Sequence, residues 1–260
     1  MFDRWILLTA GLGSKPFESA AQRVLLEGNT LHGWEKQIAL NFANLNEYCP
    51  TSVKNYSHIL MPETTGFGYM SWKAEIVYRA LNNDFGPCDG VVWVDAGCEV
   101  VSNPLSRYIL KRRMGSAKRY GAAIFTLDTP EMFYTKHDLF AEFPLVSDED
   151  ISPQIQTTNF YLYGDVGLKI AKRWHEVASK SEVMIDESES KFGEVGGFIN
   201  HRHDQSVFSL CCKSEKSFHE FKPLTTGTGG YRAKLRGFGS PFWAARNRTG
   251  VTYVPRWFNF

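Results

Sequence analysis

Gly90-Val91-Val92-Trp93-Val94-Asp95-Ala96-Gly97 is the stretch on which the fold turns. Its apolar run shows no polar alternation, which predicts a strand buried on both faces, as in a parallel sheet covered by helices. Asp95-Ala96-Gly97 closes the strand. In an open parallel sheet, ligands bind beyond the carboxyl ends of the strands. A carboxylate there, followed by a glycine that admits close approach, suits a ribose hydroxyl or a metal-bound diphosphate. An Asp that only caps the next turn is the competing reading.

Outward from this strand, short apolar runs alternate with helical periodicity. Trp5 to Leu8 predicts a first buried strand, leading into the turn-rich Thr9-Ala10-Gly11-Leu12-Gly13-Ser14-Lys15-Pro16 and a helix from about Ser19 carrying Ala20, Ala21, Val24 and Leu25. Gly66-Phe67-Gly68 reads as a flexible loop before a helix from Ser71 to Leu81. Gly121 to Leu127 and Asn159 to Tyr163 read as strands, and Val166 to Ala178 and Gln205 to Cys211 as helices. Lys111-Arg112-Arg113 is read as a solvated helix end, with a binding patch as the alternative. Ser181 to Gly197, polar and acidic, is read as a mobile loop. The expected architecture is α/β and Rossmann-like: a mainly parallel sheet flanked by helices.

Composition narrows the function. The chain has 260 residues, enough to bury roughly three-quarters of its unfolded surface without disulfides. Its net charge of +1 gives no general electrostatic footprint for nucleic acid. No run approaches the ~20 apolar residues that span a bilayer, and the five cysteines form no CxxC pair, so neither a disulfide framework nor a Cys-rich zinc site is indicated. The chain is read as cytoplasmic.

Two further clusters carry chemistry. His201-Arg202-His203-Asp204-Gln205-Ser206 places six polar side chains ahead of an apolar helix. That suits metal ligation, diphosphate neutralisation and sugar hydroxyl recognition together, or an N-capping turn. Gly13-Ser14-Lys15 with Arg23 offers a basic loop after the first strand, though it is neither a dinucleotide fingerprint nor a P-loop. Trp72-Lys73 sets an aromatic face beside a cation.

Three of these segments, Gly66-Phe67-Gly68-Tyr69-Met70-Ser71-Trp72-Lys73, Asp95-Ala96-Gly97-Cys98-Glu99 and His201-Arg202-His203-Asp204-Gln205-Ser206-Val207-Phe208-Ser209-Leu210, occur in an order that resembles bacterial glycosyltransferases of capsule and lipopolysaccharide loci. Tyr134 to Phe140 and Pro153 to Gln156 add to the likeness, which runs from Trp5 to Lys213. The resemblance implies a GT-A-like hexosyltransferase domain over residues 1–224, with a Gly/Arg-rich segment, 225–260, packing on it or lidding it. The implied donor is a nucleotide diphosphosugar, UDP-linked, and the acceptor a glycan or lipid-linked glycan in surface polysaccharide synthesis. Donor binding would fall to Thr9, Lys15, Arg23, Trp72, Lys73, Asp95, Ala96, Gly97 and Arg202. Asp204-Gln205 is similar to the Asp-Gln pair that lies beneath the donor sugar in retaining enzymes of the glycogenin type, and would be catalytic. For an inverting reaction Asp204, Asp138 or Glu99 would be the base. Asp95-Ala96-Gly97 matches only the first Asp of an Asp-x-Asp motif, so Mn²⁺ or Mg²⁺ would sit on Asp95 and His203 or be absent. Arg232, Lys234, Arg236, Arg246 and Arg248 would touch acidic glycans or anionic lipid at the inner membrane face, or be a solvated tail. The alternatives are a phosphohydrolase of the haloacid dehalogenase kind and a non-catalytic nucleotide- or glycan-binding module.

Overall fold

Four strands stand where the apolar runs predict them, and five more are added among the described residues. The computed structural model describes residues 3–191, 193–221 and 240–247. In chain order the strands are β1 (Trp5–Ala10), β2 (Lys36–Leu40), β3 (Gly90–Val94), β4 (Glu99–Val100), β5 (Ala122–Pro130), β6 (Pro153–Ile155), β7 (Asn159–Tyr163), β8 (His219–Phe221) and β9 (Phe242–Trp243). Among the described residues a seven-stranded sheet runs β2-β1-β3-β7-β5-β6, with β8 on the parallel side of β5. β7 and β6 oppose the other strands, so the sheet is mainly but not wholly parallel.

Period two in the strands builds both faces. Ile6, Leu8, Val91 and Trp93 point one way, Trp5, Leu7, Val92 and Val94 the other. Helices Ser71–Leu81, Gly164–Lys180 and His203–Glu215 cover the first face, where the Phe208 ring lies 4.5 Å from Phe160 and 4.8 Å from Trp174. Lys15–Gly28 and Pro104–Tyr120 cover the second with Val24, Leu110 and Met114. The first of these helices starts four residues earlier than its apolar spacing suggests, because Pro16 fits its first turn.

Pro104–Tyr120 opens with a capping box between Asn103 and Ser106 and ends at Gly121 at φ 84°, where a Cβ would stand 2.3 Å from Val166. Lys111-Arg112-Arg113 therefore lies in mid-helix. Lys111 and Arg112 are exposed, but Arg113 is buried, its guanidinium 4.7 Å from the Phe125 ring centre. The acidic segment expected to be a mobile loop is laid over a buried cation: Lys136 Nζ donates to Val183 O, Asp186 Oδ1 and Ser188 Oγ at 2.9–3.0 Å. Among the described residues no helix is long and apolar enough to cross a membrane. Most of the Gly/Arg-rich segment, 225–239 and 248–260, lies outside the described residues.

Candidate functional site

Beyond the carboxyl ends of β1 and β3 the sheet opens into a cleft of about 1210 Å³. Gly13 and Ser14 line it after β1, Trp72 and Lys73 from the helix Ser71–Leu81, and Asp95, Ala96 and Gly97 after β3. Asp128 and Thr129 of β5, Arg202 and Gln205 before and on the last helix, and Ala244 and Arg246 complete its walls.

The turn bearing Asp95 is fastened from three sides. Asp95 N–H donates to Thr158 O at 2.8 Å, and Cys98 N–H closes the turn on Asp95 O at 2.9 Å. The buried Arg23 guanidinium donates to Ala96 O (3.0 Å) and Cys98 O (2.9 Å), and its charge is met by Glu27 and Glu99. From the C-terminal side Asn247 N–H donates to Gly97 O at 2.8 Å and its amide to Glu99 Oε1. Arg23, expected at the donor, thus positions the turn instead, because its side chain is used up beneath it. Glu99 is fully buried in the same network, and Asp138 accepts the Lys191 N–H. Neither of these two proposed bases faces the cleft.

Asp95 is held by one oxygen and open at the other. Oδ1 accepts from Trp93 Nε1 at 2.7 Å and from Lys73 Nζ at 3.2 Å, and among the described residues Oδ2 has no partner. Although 37% of the side chain is exposed to the cleft, desolvation pushes its carboxyl above the ordinary value, against the pull of Lys73 and Trp93. Lys73, 1% exposed, also reaches Asp204 Oδ2 at 3.0 Å, which Thr157 Oγ1 supports at 3.0 Å. Burial alone would push this ammonium down, but Asp204 and Asp95 outweigh it and hold it above its usual value. Asp204 is not on the cleft wall. It stands behind Lys73, so the structure makes it the anchor of the lysine.

Gln205 does face the cleft, and its orientation follows from a chain of acceptors. Glu131 is buried against Lys213 at 2.9 Å, and its carboxylate can only accept, so Gln154 must turn its Nε2 towards it (3.1 Å). Gln154 Oε1 then takes Gln205 Nε2 (2.7 Å) and Arg202 Nη1 (3.2 Å). Gln205 is left with its carbonyl oxygen without a partner among the described residues. Arg202 lies flat on Tyr134, its guanidinium carbon 3.6 Å from the ring centre.

The remaining expected residues divide. Trp72, Ala96 and Gly97 line the cleft. Lys15 is exposed at a helix start outside it, and Thr9 is buried, its hydroxyl unpartnered among the described residues, because period two sends it to the face of Trp5 and Leu7. Gly66-Phe67-Gly68 is no plain loop. Residues 66 to 70 all have φ between 54° and 81°, a left-handed turn that costs about 1–2 kcal/mol for each non-glycine. It is held by the Trp72 indole N–H on Phe67 O (3.0 Å). Asp128 and Thr129 are cleft residues that the sequence reading does not single out, and Arg246, expected against acidic glycans or anionic lipid, stands on the cleft wall. Asp128 follows the apolar run of β5 as Asp95 follows that of β3, so the same rule would have found it.

The donor set does not fit a divalent ion on Asp95 and His203. His203 Nδ1 meets Ile185 O at 2.7 Å and Nε2 faces Glu187 at 3.7 Å, off the cleft wall. An ammonium already sits against Asp95, and among the described residues no group of three His, Cys, Asp or Glu is placed to hold a metal.

No protein-family model matches the chain, and no curated protein matches it. Solved structures do. The chain is similar to a glycosyltransferase involved in the glycosylation of the major capsid of PBCV-1, at 14% identity over 92% of each chain and TM-score 0.50. The fold is GT-A-like. Mouse xyloside xylosyltransferase 1 in its apo form also matches, at 12% identity over 84% of each chain and TM-score 0.42.

Proposed function

We propose that the chain is a glycosyltransferase that takes a sugar from a nucleotide diphosphosugar, UDP-linked, and passes it to a glycan or lipid-linked acceptor. The observation that carries this reading is Asp95. It stands at the carboxyl end of β3 in a GT-A-like fold and lines the cleft, one oxygen fixed by Trp93 and Lys73 and the other without a partner among the described residues. An oriented carboxylate of this kind accepts hydroxyl donors, from a ribose or a sugar, and repels phosphate.

Cleavage of the sugar–phosphate bond builds positive charge on the sugar ring and negative charge on the diphosphate. Gln205, whose carbonyl oxygen has no partner among the described residues, is the group proposed beside the anomeric carbon, and Arg202 a cation for the leaving diphosphate. Lys73 and Asp204 are positioning residues that set Asp95. Asp128, the other carboxylate on the wall, is the candidate to take the acceptor's proton. The phosphohydrolase reading needs a second carboxylate where Gly97 stands.

The test is a melting scan against nucleotides and nucleotide sugars, followed by donor turnover across acceptors. A ligand at a hundred times its Kd adds about 2.7 kcal/mol of stability. Stabilisation by UDP-sugars with UDP release is the expected result. Stabilisation without turnover on a broad acceptor panel would favour the binding-module reading, and no stabilisation by any nucleotide would overturn the donor site.

A further inference from the structure

We infer that the diphosphate of the donor is neutralised by arginines of this chain, Arg246 above all, and not by a divalent ion. This deepens the donor-site reading above and rests on it.

Backbone packs against the place of a second carboxylate. A Cβ built on Gly97 would lie 3.5 Å from Arg246 Cα, and Asn247 N–H donates to Gly97 O at 2.8 Å. The segment ending in Arg246-Asn247 therefore lies along the turn on which an Asp-x-Asp motif would carry its metal. What it brings there is a guanidinium. Arg246 is exposed and lines the cleft beside Ala96 and Gly97, and among the described residues it has no ion-pair partner.

Charge on the walls points the same way. The cleft is lined by Lys73, Arg202 and Arg246 against Asp95 and Asp128. Lys73 is committed, 3.2 Å from Asp95 and 3.0 Å from Asp204, and buried. A divalent ion on Asp95 would stand against that ammonium with one free carboxylate oxygen for support. A diphosphate can instead meet Arg246 and Arg202, whose planar forks match phosphate oxygens two at a time.

The backbone at Arg246 is shaped for this. It is held at φ 56°, a conformation that costs a non-glycine residue about 1 kcal/mol or more. What holds it there is the next residue, whose main-chain and amide groups are fixed to Gly97 and Glu99.

Calorimetric titration of the full chain with UDP, and with ADP, CDP and GDP as alternates, in EDTA and then in Mn²⁺ or Mg²⁺, tests the inference. The expected result is binding of equal strength with chelator and with metal, weakened about tenfold or more in Arg246→Ala and less in Arg246→Lys. The melting temperature of the exposed Arg246→Ala variant should match that of the parent, which separates lost binding from lost folding. Binding that needs the metal and disappears in EDTA would overturn the inference while leaving the donor site standing. Metal-free binding unchanged in Arg246→Ala would overturn the assignment to Arg246. Failure of every nucleotide under both conditions would overturn the donor-site reading and this inference with it.

Discussion

Among the described residues two lysines sit between two carboxylates, and they do different work. Lys213 bridges Glu131 (2.9 Å) and Asp150 (2.7 Å), while Lys73 bridges Asp95 (3.2 Å) and Asp204 (3.0 Å). In the first cluster every oxygen of the central carboxylate is taken: Glu131 Oε1 accepts from Thr135 and Gln154, Oε2 from Ser209 and Lys213. In the second, Asp95 lines the cleft and its Oδ2 has no partner among the described residues. A closed cluster of buried charges holds a fold together, and an open one keeps an acceptor ready for something else. Through Gln154 the closed cluster also fixes which way Gln205, the neighbour of Asp204 in the chain, faces.

The comparison can be broken most sharply at Glu131. Glu131→Ala would leave the buried Thr135 and Ser209 hydroxyls and the Gln154 amide without this acceptor and Lys213 with Asp150 alone, so a loss of about 3–5 kcal/mol is expected in urea unfolding. A loss near zero would put the closed cluster outside the fold's support. Asp95→Asn should do the reverse. Turnover of nucleotide sugar should fall about a hundredfold or more, with the melting temperature nearly unchanged, because the side-chain oxygen facing Trp93 and Lys73 survives.

The shared lysine sharpens the contrast. In a double-mutant cycle of Asp95→Asn with Asp204→Asn, a coupling of about 0.5–3 kcal/mol is expected in stability. Additive losses would mean that the two carboxylates act independently. The last effect is read as a slope in pH. His201 donates through Nε2 to Met184 O and accepts Lys136 N–H on Nδ1, and burial, then the charge of His203, pushes its pKa from 6.5 down to about 3. Between those values the unfolded chain holds a proton that the folded chain refuses. Its contribution is therefore fully present above pH 6.5 and declines as pH falls towards 3, by up to about 1.4 kcal/mol per pH unit. His201→Gln should flatten that slope, and an unchanged slope would remove His201 from its cause.

Much of this was legible in the residues. The unbroken apolar run of β3 announced both the strand and the carboxylate at its end, and helical spacing located Ser71–Leu81 correctly. What could not be read was the direction of side chains whose partners are remote in sequence. Arg23 looks like a phosphate ligand until the carbonyls of Ala96 and Cys98 are seen beneath it. His203 looks like a metal ligand until Ile185 takes its ring nitrogen. Lys36 to Leu40 was passed over as a strand because its first residues are polar at the sheet edge. The left-handed turn at 66 to 70 defied the pattern for another reason: three of its five residues are not glycine, and only tertiary contacts hold them there.

The pairing of β9 with β4 carries a consequence for how the protein comes into being. Asn247 reaches back 148 positions to Glu99, and with Arg23 it fastens the turn that aims Asp95. Contacts that close so long a loop tend to form late, since their entropy must be met before they give any return. On a ribosome, the sheet and its helices can assemble while the acid turn still lacks its outer fastening. Competence would then arrive abruptly, with emergence of the tripeptide around Arg246, and a chain cut short before it would fold without being able to act.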